Sequence, residues 1–189
     1  MNLPVSRSSD ESWYRASVLH LEGENAKVCF IDYGNTETVP QTALQTLKAE
    51  FQSLSQQSYK CKLSGVITSS QEWSEESIAK FEELVSEKTL LCQITEIADD
   101  VYGVTLLDMG MSIASKLIEE KLATGIEDEE KSDTSVESDT EEEVPIDKIP
   151  CQVFTSGHKT EVYISHIETP SQFWIQLKDS ESSLDTLAK

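Results

Sequence analysis

The sequence predicts an α+β protein, mainly β: a small β-barrel, a second β-rich unit with two helices, an acidic linker and a terminal β-hairpin. Three observations support this fold class. Residues 13–18 and 28–35 are rich in β-branched and aromatic side chains, which suit a half-buried pleated surface. Two later segments carry apolar residues at helical spacing, and residues 125–147 are acidic and short of aromatics.

The first two strands are predicted from residues 13–18 and 28–35, joined by a polar loop that contains Gly23. Such a loop between two strand-like runs indicates a hairpin turn. Because side chains alternate between the faces of a strand, Tyr14 and Phe30 each share a face with every second residue of their own strand. The two rings are therefore expected on one side of the hairpin.

A second turn is predicted where the second strand ends, at Asp32, Tyr33, Gly34 and Asn35. Gly34 adopts positive φ at no steric cost, so the chain can bend there. Tyr33 lies on the opposite parity from Phe30, and its ring reaches the other aromatics only if the chain bends after Asp32. With that bend, three aromatic rings and one carboxamide meet at one end of a small barrel.

Such a cluster has a binding chemistry. Aromatic faces attract organic cations, by about 0.5–2 kcal/mol for each ring contact. Methylated arginine keeps its positive charge but loses hydrogen-bond donors, and it presents a wider apolar face to a ring. The Asn35 carboxamide is able to accept one of the remaining guanidinium N–H groups. The alternative is that the aromatics simply fill the core of a small barrel.

Two runs carry a resemblance to a known family: Trp-Tyr-Arg-Ala-x-Val from Trp13, and Val-x-Phe-Ile-Asp-Tyr-Gly-Asn-x-Glu-x-Val from Val28. They resemble the Tudor domain of the extended Tudor family, the multi-Tudor proteins of animal germ cells and their nuclease-like relative. Spacing and turn residues agree over residues 13–47, the predicted Tudor core. By position, the resemblance assigns an aromatic cage for dimethylarginine and one supporting residue; the cage is Tyr14, Phe30, Tyr33 and Asn35, and the support is Asp32.

The resemblance implies a non-catalytic adaptor that reads symmetrically dimethylated arginine on Piwi-type Argonaute proteins. Such adaptors act in the piRNA pathway, in transposon silencing and gametogenesis, and the expected location is the cytoplasm and its germ granules, the nuage. Three alternatives stay open: a structural scaffold with an incomplete, inactive cage, a methyl-lysine reader, and a nuclease-like enzyme. Against the enzyme, a turn is predicted without nearby basic residues at Glu96, Asp99 and Asp100.

One departure from the family pattern concerns the cage. The family has a further cage aromatic six residues before the tyrosine of the first run, and here that position is Ser8. Residues 1–12 show no strand pattern, and Pro4 and several serines indicate an irregular segment. The sequence therefore predicts that the first strand of the barrel is missing and that the cage lacks one wall.

Residues 48–124 predict a connector, then strand, helix, two strands and helix. The strands are expected at 59–66, 89–97 and 101–107, and the helices at 72–86 and 112–122. This order resembles the later part of the staphylococcal-nuclease-like OB fold that flanks the Tudor core in the family. Two of its strands would be absent, and the open strand edges predict self-association.

The end of the chain predicts an acidic disordered linker over residues 125–160 and a β-hairpin within residues 161–189, around Pro170. The hairpin resembles the opening strands of a following extended Tudor repeat. Two placements stay open. The hairpin belongs to that next repeat, or it folds back across the linker and supplies the strands that the OB fold lacks.

Composition bounds the partners. The net charge is −20, and residues 125–147 hold eleven acidic residues against Lys131 alone, about half of that charge. An acidic chain disfavours direct nucleic-acid binding and suits basic peptides.

The three histidines show no zinc-ligand spacing and no residue pattern indicates a cofactor. The four cysteines form no Cys-x-x-Cys pair, which predicts free thiols, and no apolar run approaches a membrane span, so we expect a soluble cytoplasmic protein.

Overall fold

The computed structural model describes residues 4–8, 12–68, 72–98, 100–126 and 152–180. These residues form two β-structures that lie side by side in a mainly β fold with two short α-helices. Neither helix among these residues is long and apolar enough to cross a bilayer.

The first β-structure is a five-stranded antiparallel sheet. Its strands are β1 (Pro4–Arg7), β2 (Trp13–Glu22), β3 (Asn25–Phe30), β4 (Thr36–Pro40) and β5 (Leu44–Thr46), in the spatial order β4-β3-β2-β1-β5. Its small core consists of inward-facing residues from three neighbouring strands, namely Ala16, Ala26, Val28, Phe30 and Val39. The predicted hairpin of β2 and β3 is thus present, with Ala16 opposite Phe30.

The prediction that the first strand is missing is wrong. Strand β1 lies between β2 and β5 and pairs antiparallel with both, with Ser6 opposite Tyr14 on one side and opposite Leu44 on the other. Pro4 occupies the first position of the strand, where a missing N–H is tolerated. A four-residue strand bonded on both sides needs no alternating pattern of its own, because the neighbouring strands supply its backbone partners.

The second β-structure is a closed, six-stranded sheet with two helices packed against it. Its strands are β6 (Ser58–Leu63), β8 (Leu90–Ala98), β9 (Val101–Asp108), the short β10 (Met111–Ser112), β12 (Lys159–Thr169) and β13 (Gln172–Leu177). Two further short strands, β7 (Val66–Ile67) and β11 (Thr124–Gly125), lie outside it. The spatial order is β10-β9-β6-β13-β12-β8, and pairing of β9 with β8 closes the sheet. Strands β7 and β11 pair with each other separately.

The terminal hairpin, β12 and β13, folds back and completes this sheet. Strand β12 pairs with β8, where Val162 lies opposite Leu90, and β13 pairs with β6, where Ile175 lies opposite Tyr59. The edges of β6 and β8 that were expected to be open are therefore both paired. The premise for self-association through those edges is wrong, because strands distant in sequence cover them.

The helices are α1 (Glu75–Val85) and α2 (Ile113–Glu119). Each begins after a serine whose side-chain oxygen accepts a backbone N–H of the first turn: Ser74 for α1 and Ser112 for α2. Phe81 and Leu117 are fully buried in the shared core. Helix α1 starts three residues later than predicted because the cap is Ser74, and the acidic residues that follow it lie within the first turn.

The predicted linker is shorter than expected at both ends. Gly125 belongs to β11, and residues 159–160 already belong to β12. Phe154 is buried, with its ring centroid 4.9 Å from that of Tyr59 and 5.3 Å from that of Tyr102. One aromatic residue in a polar stretch is enough to anchor the chain to the core. Residues 127–151 and 181–189 lie outside the described residues.

Candidate functional site

Three aromatic rings meet at one end of the first sheet. The ring centroid of Tyr14 on β2 lies 5.1 Å from that of Phe30, at the end of β3, with the planes inclined by 52°. It lies 5.5 Å from that of Tyr33, which follows β3, and these two planes are perpendicular. The structure thus brings together the three aromatics singled out from the sequence.

The rings differ in depth. Phe30 is 2% exposed and belongs to the core of the sheet, whereas Tyr33 is 36% exposed and Tyr14 is intermediate. Phe30 therefore forms the base of the cluster, and the two tyrosines form a right-angled corner open to solvent. This corner presents electron-rich ring surface to a cation in two directions.

The bend after Asp32 that the sequence required is present. The backbone N–H groups of Tyr33 and Gly34 both donate to the carbonyl oxygen of Phe30, at 3.1 and 2.7 Å. The Phe30 N–H donates in turn to the carbonyl oxygen of Asn35 at 3.0 Å. Gly34 has φ +93°, a value that favours glycine. This turn carries Tyr33 to the face on which Phe30 lies.

Asp32, which the resemblance assigned as a supporting residue, is paired with Arg15. Asp32 is 3% exposed, and its carboxylate accepts hydrogen bonds from Arg15 Nε at 2.8 Å and Arg15 Nη2 at 2.5 Å. The backbone N–H of Gln57 donates to the same carboxylate at 3.1 Å. Buried in this way, the Asp32 carboxylate is turned away from solvent.

Arg15 was not singled out from the sequence, although it is the buried partner of Asp32. Besides Asp32, its guanidinium donates to the carbonyl oxygens of Phe51, Leu54 and Ser55, at 2.7–2.9 Å. These carbonyls belong to the connector between the two β-structures. The available signal was an arginine beside the tyrosine of β2, together with an acid at the turn of the neighbouring strand. The sequence does not indicate that Arg15 and Asp32 pair, and their burial becomes evident only from the structure.

Asn35 completes the group assigned from the sequence. It is half-buried at the end of the turn, and its carboxamide makes no hydrogen bond to the described residues. Burial, and then the nearby Asp32 carboxylate, raise the pKa of Tyr33. The phenol therefore stays neutral through the physiological range, and a neutral ring with an available amide beside it suits a cationic side chain that retains an N–H donor.

Ser8 lies directly after β1, at the position of the family's further cage aromatic. Its hydroxyl donates to the carboxylate of Glu37 on β4, at 2.6 Å, and its backbone N–H donates to the Ser12 carbonyl. This position therefore carries a hydrogen-bonded polar pair in place of a ring. Position 8 therefore supplies no aromatic wall, although β1, the strand that leads to it, is present.

The described residues hold no group of three or more His, Cys, Asp or Glu side chains placed to bind a metal ion. Cys29, Cys61 and Cys92 are free thiols, and Cys151 lies outside the described part of the chain. The expectation that the acids considered for a nuclease have no basic residue nearby is wrong for Glu96, because it pairs with Lys62 at 2.9 Å. Asp99 lies outside the described residues.

Comparison with known proteins agrees with this architecture. A family model described as "Tudor domain" matches residues 2–65. Tudor domain-containing protein 1 of Oryzias latipes is 34% identical over 119 residues, which cover 63% of this chain and 10% of that protein. The chain thus spans about a tenth of the length of that relative.

Two solved structures are similar over the fold. Extended Tudor domain TD3 of mouse TDRD1 is 32% identical, with a TM-score of 0.63 and coverage of 67% of this chain and 69% of that one. The extended Tudor domain of human TDRD1 is 29% identical, with a TM-score of 0.62 and coverage of 66% and 64%. Because the matched sequence and the fold agree, the chain belongs to the extended Tudor domain family.

Proposed function

We propose that the chain is a non-catalytic reader of symmetrically dimethylated arginine and that Tyr14, Phe30, Tyr33 and Asn35 hold the modified side chain. The observation that carries the proposal is the right-angled corner of Tyr14 and Tyr33 above the buried Phe30. Similar structures were solved with such ligands: human TDRD1 with a symmetrically dimethylated peptide, and mouse TDRD1 with a MILI peptide containing dimethylarginine.

The chemistry follows from the residue types. Dimethylation leaves the guanidinium positive, spreads apolar surface over its rim and removes donors that would bind water. The two tyrosine faces attract the cation and contact the methyl groups. The Asn35 carboxamide oxygen accepts an N–H that remains. Unmodified arginine keeps all its N–H donors hydrated in water, so its binding to the aromatic corner is expected to be less favourable.

The partners we propose are arginine-methylated Piwi-type Argonaute proteins, which the family resemblance implies. The setting is the germ granules of the cytoplasm, where the chain would serve as an adaptor in the piRNA pathway. The net charge of −20 supports a basic peptide as the ligand, because long-range attraction raises the rate of encounter. The binding requires no cofactor, metal or nucleic acid.

Calorimetry with an Arg-Gly peptide, unmodified and symmetrically dimethylated, tests this function. We expect the dimethylated form to bind more tightly, and Tyr33→Ala to weaken its binding by about 2-fold to 30-fold, the equivalent of one ring contact. Trp13→Ala is the matched control. Trp13 neighbours Tyr14 but has the opposite parity on β2 and is 45% exposed, so its removal should leave the preference unchanged.

The scaffold alternative rests on Ser8. Its hydrogen bond to Glu37 shows that a polar pair stands where the family has an aromatic. A corner of two walls holds a cation less completely than a closed cage. Equal affinity of the wild-type chain for the two peptides would support the scaffold and reject the reader, whereas a preference that Tyr33→Ala removes would support the reader.

A further inference from the structure

The turn that carries Tyr33 is bonded by side chains of the second β-structure, from three different strands. Ser58 Oγ on β6 donates to the carbonyl oxygen of Ile31 at 2.9 Å. Gln176 Nε2 on β13 donates to that of Asp32 at 2.5 Å, and Ser165 Oγ on β12 donates to that of Tyr33 at 2.7 Å. Three consecutive carbonyls of the turn thus each accept a hydrogen bond from a side chain of the second β-structure.

A close packing contact adds to these bonds. Gly34 lies against Trp174 on β13 so closely that a Cβ atom at position 34 would stand 2.1 Å from Trp174 Cγ. Trp174 is itself 8% exposed, and its ring lies 5.3 Å from that of His166 on the paired strand. The terminal hairpin therefore contacts the turn along residues 32–34, and the lack of a side chain at Gly34 allows that approach.

The hydrogen bonds within the turn do not by themselves fix the orientation of Tyr33. They end on the Phe30 and Asn35 carbonyls, whereas the carbonyl of Tyr33 itself is bonded from the hairpin, by Ser165. The orientation of this peptide group sets the direction of the Tyr33 side chain, which is the exposed wall of the corner. The wall therefore depends on a residue 132 positions further along the chain.

We propose that Ser165 and Gln176 are positioning residues for the aromatic site: they hold the 31–34 turn so that the Tyr33 ring stands perpendicular to that of Tyr14. The inference rests on the proposed function, since it concerns the same site. Neither residue contacts the ligand in this account. Each acts through a backbone carbonyl, so its loss lets the turn relax and misaligns one wall of the corner.

The test compares Ser165→Ala, Gln176→Met and their combination by calorimetry, with the unmodified and dimethylated Arg-Gly peptides. Each single variant should weaken binding of the dimethylated peptide about 3-fold to 10-fold, the worth of one hydrogen bond. The combined variant should bring the ratio of the two affinities close to one. Ser165→Thr retains a hydroxyl and should restore the wild-type ratio.

The matched control is Ser156→Ala. Ser156 Oγ also donates to a backbone carbonyl, that of Thr95 on β8, at 3.1 Å, but it makes no bond to the turn. It should lower stability to a similar degree and leave the preference for the methylated peptide intact. A similar loss of preference in this control would show a general structural effect and overturn the proposal.

The remaining outcomes separate the two proposals. If the wild-type chain shows no preference for the dimethylated peptide, the reader function itself fails. If the wild type shows the preference and Ser165→Ala and Gln176→Met both keep it, the positioning role fails while the reader function stands. A loss that appears only together with a melting temperature lowered by more than about 5 °C would assign the residues to stability alone and overturn the proposal.

Discussion

Arg15 is a buried cation that makes five hydrogen bonds, two to Asp32 and three to connector carbonyls. Arg15→Ala would leave the Asp32 carboxylate, 3% exposed, without its charge partner and would remove one donor from each of three carbonyls, of which that of Ser55 still accepts from Gln57 Nε2. Removing one partner of a buried pair costs about 3–5 kcal/mol, because an uncompensated charge remains. We expect a loss of this size in urea unfolding, measured on the intact chain.

The control for Arg15→Ala is a pair at the surface. Lys48 Nζ lies 3.7 Å from a Glu50 carboxylate oxygen, and both side chains are more than half exposed. Exposed pairs are screened by solvent, so Lys48→Ala should change the free energy of unfolding by about 0.5 kcal/mol or less. Comparable losses for the two variants would contradict the account of Arg15 as the link between the β-structures.

Because Cys92 is buried, we expect the free energy of unfolding to fall at alkaline pH. Burial raises its pKa from 9.0 to about 12, so between these values only the unfolded chain releases the thiol proton. Below pH 9 the thiol is protonated in both states and has no effect. Above pH 9 the free energy of unfolding should fall by about 1.4 kcal/mol per pH unit from this group.

Urea unfolding under reducing conditions at pH 8 and pH 10.5 measures this dependence. Other groups ionise in the same range, among them Cys61, whose pKa burial also raises. The wild type is therefore compared with Cys92→Ala, and the fall in stability should be about 2 kcal/mol smaller in the variant. Equal falls in the two proteins would show that the Cys92 thiol does not titrate as its burial requires.

At the level of single residues, the local sequence pattern was enough to predict that the three aromatics lie together. It was not enough to identify the residues that hydrogen-bond around them. Tyr14, Phe30 and Tyr33 follow from strand parity and one glycine turn, because these depend on neighbours in sequence. The bonds of Arg15 to residues 51–55 and of Ser165 to Tyr33 join segments far apart in sequence. Nothing in the alternation of either strand indicates them.

Among elements, the same distinction explains which strands the sequence predicts. Strands β2, β3, β8 and β9 form hairpins whose apolar alternation and turns are local, and all four are present, although β3 covers residues 25–30 rather than the expected 28–35. Strand β1 has four residues and no alternation, so its identity depends on the backbone groups of β2 and β5. A short strand between two partners is set by tertiary structure rather than by its own composition.

The hairpin of β12 and β13 was predictable as an element but not as part of a particular sheet. Its strands and its Pro170 turn follow from composition, whereas its placement depends on the exposed edges of β6 and β8. Those edges are complementary to it in register and in apolar face, as Val162, Phe173 and Ile175 are each fully buried. Pattern alone left two placements open because both bury the same face.

At the scale of the whole molecule, the fold is a sheet completed across an acidic segment. The hairpin pairs on both sides, with β8 and with β6, and the Phe173 ring lies 5.2 Å from that of Phe81 on α1. These contacts do not depend on the covalent connection through residues 127–151. The hairpin is therefore expected to stay in place once that connection is cut.

A protease site inserted within residues 127–151 tests this expectation. After cleavage, the two fragments should co-elute in gel filtration under native conditions and separate in urea, because buried apolar area and two β-ladders hold them together. Phe173→Ala removes a fully buried ring, at a cost of about 3–5 kcal/mol, and should release the fragment after the same cut. The uncut insertion variant shows whether the added site itself disturbs the fold. Separation of the wild-type fragments without denaturant would mean that the linker, rather than the sheet, keeps the hairpin beside the Tyr33 turn, and peptide binding should then be lost on cleavage.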